Sequence, residues 1–265
     1  MQKKTQIYYS RSYRHLEPNS REQLVFLLMC VLPCLILFCT YYSELSFQLA
    51  VLVKMEISNF IQESFLGIGY GDFLPVFGGV YFIDIPSKTP SFHEVVINLA
   101  ATLLLLSMCF FSTKIRKGGT PLSIYFAITL LIHLIACIYF MFAKEFYPYS
   151  ATQYSELYMK QQVSIWLAFI VLAGLIIGVF GYASLTGKIA AFLGIMVYSF
   201  IFGCIRYLVF MLIISTVSII YMATLFFTLG PLFDFIYLVC FYGIYINSQI
   251  KRFDRGEGRL KWHWL

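Results

Sequence analysis

Long apolar runs separated by short polar and basic stretches set the pattern of this chain. Positions 24–42, 95–113, 122–143 and 163–184 each approach or exceed the roughly 18–20 residues that carry a helix across about 30 Å of hydrocarbon at about 1.5 Å per residue. Four membrane crossings follow. From 189 to 250 the apolar pattern continues with Arg206 and Asp234 as its charges and Gly230-Pro231 as its strong breaker, enough for two long helices or three short ones. Basic clusters then decide between the counts. Lys3, Lys4, Arg11, Arg14 and Arg21 precede the first span, Lys114, Arg116 and Lys117 follow the second, and Lys251, Arg252, Arg255, Arg259 and Lys261 follow the last. If all three clusters are cytoplasmic, the number of crossings is even.

The expected architecture is therefore an all-α polytopic transmembrane bundle of six spans, with seven as the alternative. Both termini are expected in the cytoplasm and the surplus apolar length in long tilted helices or a re-entrant turn near Gly230-Pro231. The chain divides into a basic cytoplasmic tail (1–23), a first transmembrane helix (24–42), an extracytoplasmic loop (43–94), a helical bundle (95–250) and a second basic tail (251–265). The first span is too long for a removable leader and lacks a small-residue cleavage site, so it is expected to remain as an anchor. The loop of about fifty residues carries Glu44, Glu56, Glu63, Asp72, Asp84 and Glu94 against Lys54 and Lys88. Within it, 45–65 has the spacing of an interfacial amphipathic helix, GIGYGDFLPVFGG is rich in turn residues, and VYFIDI suits a short strand. Between the third and fourth spans, Tyr147, Tyr149, Tyr154 and Tyr158 fit an aromatic belt at the headgroup layer.

Composition narrows the class. Of 265 residues, 60% are hydrophobic and 12% charged, about half the charge of an ordinary soluble domain, so lipid must be the solvent for much of the surface. The net charge of +6 is concentrated in the cytoplasmic flanks and is explained by orientation and anionic lipid. Nucleic acid is not an expected partner; membrane lipid and other membrane proteins are. All seven cysteines stand in apolar runs, where a thiol behaves as a small hydrophobe, and neither a disulfide framework, a metal site nor a cofactor motif is indicated. The expected location is a bacterial inner membrane or plasma membrane.

Gly67-Ile68-Gly69-Tyr70-Gly71-Asp72, followed by Phe73-Leu74-Pro75, resembles the T/S-x-G-Y-G-D-x-x-P filter signature of potassium channels, which implies backbone carbonyls that replace an ion's hydration shell. It departs from that family at Gly67, where the hydroxyl ligand belongs. It departs again in the distance from Pro75 to the next span at Val95, and in Glu56 and Glu63 before the filter. A glycine-rich turn is the preferred reading.

Three ionisable groups stand within apolar runs: His133, Arg206 and Asp234. A charge near the bilayer centre costs on the order of 3 kcal/mol on insertion scales, so each is a candidate site residue. His133 suits an interhelical hydrogen bond, Asp234 a helix start after Pro231, and Arg206 either an interface or an acidic partner, for which Asp234 is the available carboxylate. That pairing requires the chain to reverse near residue 220. Cys204 and Arg206, taken with His133, resemble the exosortase group of membrane transpeptidases, which implies an intramembrane cysteine enzyme. The expected function is a non-enzymatic membrane subunit that forms part of a translocation path or scaffold in a multi-protein envelope complex. The cysteine enzyme and a cation channel are the alternatives.

Overall fold

The computed structural model describes residues 14–15, 20–74, 78–115, 121–180, 185–254 and 263–264. The basic residues Lys3, Lys4, Arg11, Arg116, Lys117, Arg255, Arg259 and Lys261, and Pro75, lie outside them. The chain is mostly helical, and five helices are long and apolar enough to cross a membrane: Arg21–Ser58, Phe92–Phe111, Leu122–Phe142, Ala151–Gly178 and Leu185–Val217. A shorter apolar helix follows at Phe233–Ser248.

Capping explains several starts. Helix α3 (Phe92–Ile115) opens on a reciprocal pair in which the Ser91 amide donates to Glu94 Oε2 at 2.7 Å and the Glu94 amide to Ser91 Oγ at 3.3 Å. Ser150 and Gln153 repeat that box at the start of α5 (Ala151–Phe180), so two orphan amides are satisfied at each end. Helix α4 (Pro121–Phe142) and the last helix, α8 (Pro231–Asp254), begin on proline, whose missing N–H is not needed there.

The first long helix comprises α1 (Ser20–Phe26), a π turn (Leu27–Val31) and α2 (Leu32–Ser58). It runs sixteen residues past the expected end at 42, so 43–58 is helix and not loop, and no separate amphipathic helix spans 45–65. Several of its polar positions stay on the outer surface, where Gln48 donates to Glu44 at 2.8 Å, while Ser46 is buried.

The fold is also not purely helical. Strands Gly67–Leu74 and Gly78–Asp84 form an antiparallel hairpin in which Ile68 faces Ile83, Gly69 faces Phe82 and Tyr70 faces Tyr81. The glycine-rich segment expected to be a turn is thus a strand. A Cβ at Gly69 would lie 2.5 Å from the Phe82 ring, so the glycine makes room for a cross-strand aromatic. The return of the hairpin uses Gly78 at φ +102°, a backbone region that side chains disfavour.

The chain forms two compact units. One comprises residues 1–35, 169–196 and 238–265. In it the Phe26 and Phe192 rings meet edge to face at 5.9 Å, Val31 lies against Gly174, and the buried Lys188 ammonium donates to the Gly178 carbonyl at 3.2 Å. The other unit, 36–168 and 197–237, contains the hairpin and most of the buried core. Tyr42, Val53, Val80, Ile83, Tyr158, Trp166, Tyr207 and Ile214 belong to that core.

Candidate functional site

Helix α6 (Leu185–Leu212) continues through a π turn, Ile213–Val217, and stops at Ser218, whose backbone is fully extended. Ser218 Oγ accepts the Ile220 amide at 3.2 Å, and a single 3-10 turn (Ile219–Tyr221) leads into the six-residue helix α7, Met222–Phe227. After Thr228, Leu229 and Gly230 the chain enters α8. The reversal falls where the pairing of Arg206 with Asp234 requires it.

This break leaves backbone carbonyls without helical partners, and in hydrocarbon such groups must be satisfied by the protein. Side-chain donations do so. The Tyr125 hydroxyl of α4 donates to the Thr228 carbonyl at 2.5 Å and Arg206 Nη1 to the Leu229 carbonyl at 2.9 Å; Nη1 also reaches the Gly230 carbonyl at 3.3 Å, which accepts the Phe233 and Asp234 amides of α8 as well.

Arg206 is 5% exposed. Its Nη2 donates to Asp234 Oδ2 at 2.8 Å and to Gln162 Oε1, and its Nε donates to the Tyr158 hydroxyl. A guanidinium has five N–H donors; here all five have acceptors. The Tyr158 and Phe202 rings lie 5.6 and 5.5 Å from its central carbon, within cation–π range. The charge is neutralised by Asp234, 1% exposed and in the first turn of α8, where a carboxylate also faces the positive end of the helix.

Helix α5 supplies the rest of the surroundings. Tyr154, Tyr158 and Gln162 recur every fourth residue and so share a face, with Tyr154 and Tyr158 stacked at 6.3 Å. Tyr158 in turn stacks on Tyr207 at 5.4 Å and 8°. The Tyr207 hydroxyl accepts the Ile83 amide of the hairpin at 3.0 Å and lies 2.7 Å from Ser155 Oγ. Beyond Asp234, Tyr237 meets Ser199 Oγ at 2.6 Å, and the Trp166 indole donates to the Ser199 carbonyl at 3.3 Å. The Tyr154 hydroxyl and Gln162 Nε2 are buried and have no hydrogen-bond partner among the described residues.

Tyr154 and Tyr158 were expected in a headgroup belt. They are instead buried, at 4% and 1% exposure, because α5 starts at Ala151 and carries them inside. Their i, i+4 spacing with Gln162 was the available signal. Tyr125, in the third span, carried no signal beyond its type.

The other candidates lie elsewhere. His133 Nδ1 shares a hydrogen bond with Thr224 Oγ1 at 3.1 Å, and its ring stacks on Tyr221 at 5.0 Å, so it fastens α4 to the short helix α7. Cys204 is half-buried on α6, and among the described residues no hydrogen bond joins it to His133 or Arg206. All seven cysteines are free thiols. Gly67 to Asp72 form the first hairpin strand. Among the described residues no group of His, Cys, Asp and Glu gathers as metal ligands do. Chemically, the Arg206 centre is a saturated fastener: its donors are spent on the protein itself.

Comparison with protein-family models, with curated proteins and with solved structures finds no match.

Proposed function

We propose that the chain is a non-catalytic integral membrane subunit that forms part of a translocation path or scaffold in a multi-protein complex of a bacterial inner membrane or plasma membrane. The observation that carries this reading is the broken helix at 218–230. Its irregular backbone is held by side chains of α4 and of α6 itself, an arrangement that membrane proteins tolerate only inside protein or beside a cavity and that recurs where transporters interrupt their helices. A charge enclosed this fully serves position and not proton transfer or nucleophilic attack.

The outward faces of three helices add support. Only 11% of the most apolar window of Arg21–Ser58, 11% of that of Phe92–Phe111 and 17% of that of Leu122–Phe142 is buried, against 56% for Ala151–Gly178. Those surfaces are available to lipid and to other membrane proteins.

The proposed topology has six crossings with both termini in the cytoplasm, α8 being the sixth. Its 24 residues extend about 36 Å as an α-helix, and a backbone pairing of Arg14 with Trp264 and His15 with His263 supports tails on one side, hence an even count. Purification in mild detergent is expected to bring down stoichiometric membrane partners. Recovery of the chain as a lone, partner-free protein that turns over a substrate would sink the proposal. Impermeant maleimide at cysteines placed at 63 and 261 is expected to label the first from outside and the second only after lysis.

A further inference from the structure

We propose that the cleft beside α7 is a binding site for a single hydrocarbon chain of a membrane lipid. Helix α7 is only six residues long, so the second half of α4 has no full-length neighbour there. The result is a cleft of about 590 Å³ whose walls include Ile135, Tyr139, Tyr147, Tyr149, Ala223 and Phe227. A smaller lobe of about 240 Å³ adjoins it, sharing Tyr147, Tyr149, Ala223 and Phe227 and adding Tyr154, Leu157, Met222 and Phe226.

Three features choose the occupant. The walls of both lobes carry no charged side chain, their polar atoms being chiefly tyrosine hydroxyls, so an ion finds no counter-charge in them. The volume falls in the usual range for an apolar small-molecule site, whereas an α-helix ~10 Å across would fill it in under two turns, too little to seat a membrane helix. Finally, the cleft opens at residues a membrane helix turns outward: Ile135 is 60% and Phe227 62% exposed.

The polar end is aromatic. The Tyr139, Phe140, Tyr147 and Tyr149 rings touch in series, at 5.9 Å for Tyr139 with Tyr147, 4.7 Å for Phe140 with Tyr147 and 5.9 Å for Tyr147 with Tyr149. Burial, with Tyr149 and Tyr139 close by, pushes the Tyr147 hydroxyl up to about 12. It stays a neutral donor, resting on Met222 Sδ at 3.3 Å. Tyr149 is half exposed, so its hydroxyl is placed to meet a lipid's carbonyl or hydroxyl where the chain meets the headgroup. The Lys144 and Lys88 ammonium groups donate to the Pro90 and Thr216 carbonyls, and with Glu94 and Glu145 the four side chains carry no net charge to select an anionic headgroup.

The test uses the full chain in nanodiscs of a phosphatidylcholine carrying a diazirine on one acyl chain, irradiated and mapped by peptide mass spectrometry. Labelling of 132–140 and 222–227 is expected to exceed that of the exposed face of α3 at Leu103, Leu104 and Met108 by about tenfold, the ratio that about 1.4 kcal/mol of preference gives. Ala223→Trp, which fills both lobes, is expected to remove that excess and leave α3 labelling unchanged. Ile135→Trp, at an exposed position that costs no core packing, gives the same reading should the first variant fold poorly. Equal labelling of the cleft and α3 would mean surface lipid only and would overturn the proposal. So would labelling unmoved by both substitutions, or a co-purifying polypeptide that occupies the cleft.

Discussion

The helix break at 218–230 and the hairpin at 67–84 are both held by side chains of α6, with α4 assisting at the break and α2 at the hairpin, yet by opposite chemistry. At the break the donors come chiefly from a charge: Arg206 covers the Leu229 and Gly230 carbonyls and needs Asp234 as counter-ion. At the hairpin the partners are neutral hydroxyls. Ser46 Oγ accepts the Tyr81 amide at 3.0 Å, Tyr207 accepts the Ile83 amide, and the Tyr42 hydroxyl donates to the Gly78 carbonyl at 2.8 Å. The contrast follows the number of groups to be satisfied. One guanidinium reaches five acceptors in a plane; a hydroxyl serves one backbone group at a time and brings no charge that needs neutralising.

The largest effect is expected at the break. Arg206→Leu or Asp234→Leu leaves the other charge buried and alone, a loss of about 3 to 5 kcal/mol, read as a large drop in unfolding temperature in detergent. The double substitution is expected to recover a substantial part of that loss. Strictly additive losses would show that the two residues act independently. Arg206→Lys sharpens the point, because three donors on a flexible stem cannot replace five in a fork; it is expected to be closer to Arg206→Leu than to the native chain.

Next in size is Gly69→Leu in the hairpin. With a Cβ only 2.5 Å from the Phe82 ring, the strand must shift or Phe82 must turn out, at a cost of about 1 to 3 kcal/mol. Gly69→Leu/Phe82→Ala is expected to relieve much of it. A Gly69→Leu chain as stable as the native one would refute the packing account of this glycine.

The two regions were not equally legible. Arg206 and Asp234 are the charges of a sixty-residue apolar stretch, and lipid leaves a buried arginine an interface or an acidic partner, so Asp234 and a reversal near residue 220 stand among the options, and the structure makes that pair. The hairpin strand hid behind its glycines. Their spacing suggests turns and even a filter, and only the tertiary neighbours, Phe82 at Gly69 and Glu156 at Gly71, explain why side chains are absent. The first helix runs past 42 although Ser43, Glu44 and Gln48 have the look of a loop, because a helix leaving the apolar layer continues when its polar side chains face out or, as Ser46 does, find a partner inside the protein. Tyr158 and Gln162 were missed for a related reason. Tyrosine beside a predicted boundary suits an interface, and the face it occupies depends on where α5 begins, which Ser150 and Gln153 set.

Tyr207→Phe ranks third. It removes the acceptor of the Ile83 amide and the partner of Ser155 while leaving the ring stacked on Tyr158. A buried amide left without a partner costs about 1 to 3 kcal/mol. Amide exchange at Ile83 is expected to accelerate with the arginine centre intact, which separates a local loosening of the hairpin from damage at the break.

The smallest effect is also the most discriminating. Tyr154 and Tyr158 stand one turn apart on α5, stacked and equally buried, and by size and depth alone their hydroxyls should matter equally. They do not have equal work. The Tyr158 hydroxyl accepts from Arg206 Nε, so Tyr158→Phe strips one acceptor from a charged donor and is expected to cost about 1 to 3 kcal/mol. The Tyr154 hydroxyl is buried with no partner among the described residues, and removing such a group relieves a desolvation penalty instead of breaking a bond. Tyr154→Phe is therefore expected to be neutral or slightly stabilising, within about 0.5 kcal/mol of the native chain or above it. Unfolding temperatures of the two variants in one detergent decide the matter. A loss at Tyr154 as large as that at Tyr158 would mean that an ordered water or ligand completes the first hydroxyl, and the neutral arm of the break would then extend to the wall of the cleft.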